Sequence, residues 1–400
     1  VCVGGRLRYI KAYVWLSCVF VANVIVYTVV MLSRRPLSLQ ASGRSLFIGG
    51  HLRLWQHRDY HGLPLWDLLL LYMDRLENPI LRNATSQFNL TLPGTCGESF
   101  HEASQRLADF SSYPSHLQAF ILSMHCRDYP LLIGPADDEA CPNGTQLLVA
   151  VRSQMANFDR RQAIRQTWGR TRLVRNVTVQ TLFLLGKQGS EDGHPDLEAL
   201  LELERQKNRD LLLWDFQDTF YNLSLKDILF LGWLRGHCPS VELIFLGDDD
   251  VFLRVETLVA YAGNFDTITS RSLFAGHVIQ DAAPVHDCKH KYYVPESFYQ
   301  GTYPPYLGGG GILCSRDVAT RLYEASCHLP LFPISNIFLG LCLRELALVP
   351  VNHPGFWTFN MEAEGQEDLC AYKELILVDH RTPQDIIRLW RGLHDPALAC

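Results

Sequence analysis

Val241-Glu242-Leu243-Ile244-Phe245-Leu246-Gly247-Asp248-Asp249-Asp250 is an apolar run that ends in three consecutive carboxylates. A short run of this kind reads as a buried strand delivering acidic groups to the edge of a sheet. Adjacent negative charges repel one another, so the cluster is easiest to hold where a divalent cation or a well-solvated turn neutralises it. An EF-hand loop starting at Asp248 is excluded, because its sixth position is Leu253 and its twelfth Val259, where Gly and Glu are required. Metal and phosphate chemistry or a plain acidic turn remain, and the flanking sequence has to decide between them.

The chain has 400 residues, 48% hydrophobic and 20% charged, which suits one large or two ordinary globular domains. A formal charge of −6 with scattered basic residues offers no nucleic-acid groove. Residues 13–32 carry no charged side chain and as a helix would be about 30 Å long, the thickness of a bilayer core. Arg6, Arg8 and Lys11 precede this span, and Arg34 and Arg35 follow it. The competing reading is a cleaved signal peptide, but the apolar run is longer than an ordinary h-region and Leu39-Gln40-Ala41 is a poor cleavage site. The expectation is an uncleaved anchor with residues 1–12 cytosolic.

Five acceptor sequons follow the anchor, at Asn83, Asn89, Asn143, Asn176 and Asn222. Of the 12 cysteines, all but Cys2 and Cys18 also lie beyond residue 32, without a C-x-x-C pair, a pattern that suits disulfides better than zinc. Together these features place the bulk of the chain in an oxidising lumen. Residues 33–58 read as a stem, 59–145 as an N-terminal luminal extension and 146–400 as the main domain. In that domain Leu147 to Val151, Thr178 to Leu185 and Leu243 to Leu246 read as strands. Arg160 to Trp168, Asp196 to Gln206 and Leu225 to Leu234 read as helices. The alternation predicts an α/β domain: a mostly parallel sheet, Rossmann-like, with helices on both faces and ligands beyond the strands' carboxyl ends.

Arg160-Arg161-Gln162-Ala163-Ile164-Arg165 puts Arg161 and Arg165 four apart on one helical face, either as a diphosphate grip or as an ordinary basic surface. Tyr303-Pro304-Pro305-Tyr306 leads stiffly into Gly308, Gly309, Gly310 and Gly311, where backbone can approach a ligand or simply hinge. With Asn222-Leu223-Ser224-Leu225-Lys226, Lys291-Tyr292-Tyr293-Val294-Pro295-Glu296 and the tail from Pro383 to Trp390, these segments stand in a specific order. In this the chain resembles, over nearly its whole length, the Golgi β-1,3-glycosyltransferases, above all the β-1,3-N-acetylglucosaminyltransferases that extend poly-N-acetyllactosamine.

The resemblance implies a single GT-A domain on a single-pass type II Golgi anchor. It implies a UDP-sugar donor, Mn²⁺ as cofactor, and inverting transfer to a galactose 3-hydroxyl of a glycan acceptor, with assembly with itself or related transferases as an option. Motif matching makes Asp250 the metal ligand and assigns the donor to Arg161, Arg165, Lys226, Asp248, Asp249, Gly308, Gly309 and Gly310. Three departures accompany it. The paired carboxylates that supply the family's base correspond to Ser335 and Asn336, neither of which can take a proton near neutral pH. A family Lys two residues before the triplet is Leu246, and a metal-binding His near the C-terminus corresponds to Asp379, with His380 beside it. Trp357 also stands where relatives often have Arg. The open readings are an active transferase of altered efficiency, an inactive paralogue that binds nucleotide sugar or glycan as an assembly partner, and a β-1,3-galactosyltransferase. On sequence alone, Ser335→Asp with Asn336→Asp is the change that would return the base.

Overall fold

The computed structural model describes residues 107, 109–124, 126–142, 144–188, 196–265, 271–358 and 368–400. All fall in the unit Asp59–Cys400. The anchor read at 13–32, the stem at 33–58 and the sequons at Asn83, Asn89 and Asn143 lie outside the described residues. Among the described residues no helix is long and apolar enough to cross a membrane.

In chain order the elements that frame the site are α1 (Ser115–Ser123), β1 (Leu131–Ile133), β2 (Thr145–Arg152), α2 (Phe158–Gln166), β3 (Arg172–Val174), β4 (Val177–Lys187), α3 (Leu197–Asn208), β5 (Leu211–Gln217), α4 (Leu223–His237) and β6 (Leu243–Asp248). They continue with β7 (Phe252–Leu253), α5 (Val255–Ala262), β8 (Phe274–Gly276), β9 (Val278–Ile279), β10 (Tyr306–Leu307), β11 (Gly311–Ser315), α6 (Arg316–His328), α7 (Ser335–Glu345), β12 (Val351–Asn352), β13 (Phe356–Trp357), β14 (Leu377–Val378) and α8 (Pro383–Leu393).

The large sheet runs β1-β5-β4-β2-β6-β11-β8-β12, with β3 paired to β4. Its centre, β5-β4-β2-β6, is parallel. β1 is antiparallel to β5, and β11 is antiparallel to both β6 and β8. The sheet is therefore mixed, where the alternation of strands and helices predicts a mostly parallel one. The strands that differ are short, and β11 returns after a long irregular segment that carries no periodicity.

The central strands are largely apolar on successive residues because both faces are covered. Leu148, Ala150, Leu182, Leu184, Ile244 and Leu246 pack into one core with residues of α1, α4, α6 and α7. Leu147, Val149, Val151, Phe183, Leu185 and Phe245 pack into the other with residues of α2, α5 and α8. Leu117, Phe120 and Ile121 of α1 belong to the first core and β1 to the large sheet, so the boundary drawn at residue 146 falls inside continuous packing.

A three-stranded sheet, β13-β14-β7, sits at the carboxyl end of β6. It returns the chain so that the Arg381 amide donates to the Asp250 carbonyl at 2.6 Å. Asn176 is exposed in the β3–β4 turn in a left-handed conformation (φ 66°), and Asn222 is half-buried immediately before α4.

Disulfides join Cys141 to Cys238 and Cys370 to Cys400, and Cys126 is also disulfide-bonded. The first spans 97 residues and ties the segment carrying α1 to the end of α4. Cys238→Ser is expected to lower stability by about 2 to 5 kcal/mol. Denaturant unfolding without reductant measures it, and an unchanged midpoint would mean that the α1 packing holds the segment unaided.

Candidate active site

Parallel pairing sets Arg152, at the end of β2, beside Asp248 at the end of β6. Arg152 is 6% exposed, and a guanidinium that deep needs counter-charge on more than one side. Its Nη1 reaches Asp248 Oδ1 at 2.8 Å, while Nε and Nη2 reach the two oxygens of Asp227 at 2.7 and 3.3 Å. Burial opposes its charge, but Asp227 and Asp248 outweigh that and hold its pKa above the ordinary value. Asp227, on α4, is fully buried and also accepts a short hydrogen bond from Ser335 Oγ at the start of α7.

Asp249 is buried against the loop after β2. It accepts from Ser153 Oγ at 2.7 Å, Asn157 Nδ2 at 2.9 Å and Arg160 Nη1 at 3.2 Å. Burial still pushes its carboxyl above the usual range, against the pull of those donors. Arg160 also lies 3.4 Å from Asp250, whose side chain is 32% exposed.

The glycine run closes the opposite side. Gly310 O accepts from the Asp248 amide at 3.0 Å. Gly310 has φ 87°, a backbone conformation that calls for glycine, and a Cβ there would stand a tight 3.1 Å from Asp379 Cγ. A Cβ on Gly308 would stand 2.9 Å from Thr358 Oγ1, and one on Gly309 would stand 3.8 Å from Asn336 Nδ2. Asp379, Asn336 and Thr358 thus border one strip of bare backbone.

Asp379 is 6% exposed, and its carboxyl is pushed up to about 6 by burial first and then by the charges of Asp250 and Asp248. Its neighbour His380 is left-handed (φ 59°) and exposed, with Nδ1 3.3 Å from Asp379 Oδ2. Among the described residues no three His, Cys, Asp or Glu side chains form a ready-made metal cage. The donor set nevertheless fits a hard divalent cation: three mutually repelling carboxylates, two of them accessible, leave coordination positions for phosphate oxygens.

Three expected donor contacts are otherwise engaged. Arg161 is fully buried; it bonds Glu204 at 2.8 and 2.7 Å, Ser153 Oγ at 3.1 Å and the carbonyls of Gln154 and Met155. Arg165 is taken up by Asp210 and Glu204. Lys226, 1% exposed, donates to Ser153 O and Asp218 Oδ2, both at 2.7 Å. The diphosphate grip read from the Arg161–Arg165 spacing therefore has no free fork to perform it. Arg161 and Lys226 instead fix residues 153–155, and Ser153 in turn fixes Asp249.

Sequence reasoning missed Arg152, Arg160 and Asp227. A charged residue closing each of two apolar runs, Arg152 and Asp248, was the available signal; Asp227 inside a helix gave none. Leu246 faces the core, so the cation beside Asp248 comes from Arg152. Trp357 is 42% exposed on β13.

Two outcomes follow from these contacts. Arg161→Ala should destabilise the fold by about 3 to 5 kcal/mol, because Glu204 loses a buried partner. A loss of nucleotide affinity at unchanged unfolding midpoint would return Arg161 to the donor site. For Asp379, a folded pKa raised from the ordinary 3.8 to about 6 means its favourable contribution is complete below about pH 4 and lost as pH rises through about 6. Asp379→Asn in chelator should then be more stable than the parent at pH 7.5 by about 2 to 3 kcal/mol, with the difference gone at pH 4. Denaturant curves at the two pH values check this, and a parent more stable at pH 7.5 would contradict it.

A galactosyltransferase family model matches residues 159–354. Mouse N-acetyllactosaminide beta-1,3-N-acetylglucosaminyltransferase 2 is 40% identical over 395 residues, covering 96% of this chain and 98% of its own length. The human protein of that name is 38% identical over 392 residues, with the same coverage. Human UDP-GlcNAc:betaGal beta-1,3-N-acetylglucosaminyltransferase 8 is 39% identical over 315 residues, covering 78% of each chain. With identity at that level sustained from end to end, and the acidic triplet, basic helix and glycine run meeting in one place, the chain belongs to the galactosyltransferase family of glycosyltransferases.

Proposed function

We propose that this protein is a UDP-sugar-dependent β-1,3-glycosyltransferase of GT-A type that uses UDP-N-acetylglucosamine and a galactose 3-hydroxyl on a glycan. The proposal includes Mn²⁺ as cofactor and a Golgi location on a type II anchor. The observation that carries the catalytic reading is the meeting of Asp248, Asp250 and Asp379 with bare glycine backbone at the carboxyl end of β6.

Asp250, with Asp379 beside it, would hold the cation, the partly exposed carboxylate of Asp248 adding negative charge and His380 standing at the rim. The chemistry a cation held there would supply is neutralisation of the charge developing on the departing diphosphate. Gly309 and Gly310 let a ligand lie directly on backbone. Asp249, tied to Ser153, Asn157 and Arg160, fixes the turn that carries Asp250. The acceptor's proton has no carboxylate at residue 335 or 336 to receive it, and a missing base costs about 10²- to 10⁴-fold in rate. That gap favours a second reading, a chain that binds donor and acceptor with little turnover.

The deciding experiment is UDP release by the purified full-length chain from UDP-N-acetylglucosamine, with and without N-acetyllactosamine, in Mn²⁺ or chelator. The proposal expects slow, acceptor-stimulated release that chelator and Asp250→Asn both abolish. Mn²⁺-dependent UDP binding without release would establish the second reading, and neither binding nor release would sink both.

A further inference from the structure

The two positions that lack the family's carboxylates differ in kind. Ser335 and Asn336 are successive residues at the start of α7, so their side chains leave the helix about 100° apart. Ser335 is 6% exposed and turns inward, where its hydroxyl donates to Asp227 Oδ2. Asn336 is half-buried and faces the glycine strip, its Nδ2 3.8 Å from where a Gly309 Cβ would stand.

Around Ser335 the polar balance is closed. Asp227 is fully buried, and both of its oxygens are bound, to Arg152 and Ser335. Arg152 spends its remaining contact on Asp248. One guanidinium thus answers two carboxylates, and the Ser335 hydroxyl supplies the remaining donor. A carboxylate at 335 would be a third negative charge against that single cation, in contact with an acceptor that has nothing to donate.

We propose that Asp227 is a positioning residue that provides, from α4, the buried carboxylate at the foot of α7, so that Ser335 is its matched partner and the missing base is confined to residue 336. Asp227 is sealed from the cleft and takes no proton from an acceptor. Its effect is to anchor the first turn of α7 to Arg152, and through Arg152 to Asp248. This rests on the transferase reading for its rate arm alone; its stability arm is independent of it.

The test compares four purified full-length proteins: parent, Asn336→Asp, Ser335→Asp, and Ser335→Asp with Asp227→Ser. Asn336→Asp is expected to raise acceptor-stimulated UDP release about 10- to 10³-fold at nearly unchanged Tm. Ser335→Asp should lower Tm by roughly 6 to 15 °C without a rate gain. The exchanged pair, which moves one carboxylate from 227 back to 335, should recover most of that Tm loss. A stable Ser335→Asp, or an exchanged pair no more stable than Ser335→Asp, would overturn the matched pairing whatever the activity. A rate gain from Ser335→Asp equal to that of Asn336→Asp would overturn the confinement to 336. If no variant releases or binds UDP, the transferase reading fails while the Tm comparison still decides the pairing.

Discussion

Everything at the carboxyl end of the sheet is arranged around one buried guanidinium. Arg152 has lost its water, and isolated in that environment its charge would be prohibitive. It is tolerable only because Asp227 from α4 and Asp248 from β6 approach from two sides. That requirement fixes the height of β6 against β2, seats α4 against the sheet and, through Ser335, sets the first turn of α7. The acidic triplet is therefore presented by a frame in which strand, helix and loop are electrically bound to one another. Arg161 and Lys226 repeat the pattern one layer out, fixing the loop that holds Asp249. Most basic side chains here organise the protein, while Asp248 and Asp250 keep about a third of their surface exposed.

Much of this was legible in the sequence, and the limits have physical causes. The strands of the parallel centre carry continuous apolar runs such as Leu147 to Val151 and Leu182 to Leu185, which burial on both faces satisfies. β7, β9, β10 and β12 to β14 are too short to show a period, so the small sheet that brings Asp379 to Asp250 could not be foreseen from pattern. Asp248, Asp249 and Asp250 announced the site by their charge density. Between a grip and a plain basic surface the spacing of Arg161 and Arg165 does not choose, because it gives the direction of a side chain but not what waits there; Glu204 and Asp210 lie far along the chain. Asp227 was invisible for a related reason. An acid inside a helix is usually on the solvated face, and only the packing of α4 against α7 shows that this one is not.

The same contrast separates the two lost carboxylates. Motif matching treats residues 335 and 336 as one deletion of catalytic chemistry. In three dimensions one position is part of the buried frame, hydrogen-bonded to Asp227, and the other is half-buried beside the glycine strip, so different rules govern them.

The contact between Ser335 and Asp227 also bears on ancestry. Either codon for asparagine becomes an aspartate codon by one nucleotide change, so residue 336 is always a single step from a carboxylate. A serine codon needs more than one change to encode aspartate, and an aspartate at 335 would then set a third carboxylate beside the one arginine that already answers Asp227 and Asp248. With Ser335 matched to Asp227 as proposed, a return to aspartate is a short road at residue 336 and a closed one at 335 while Asp227 stays.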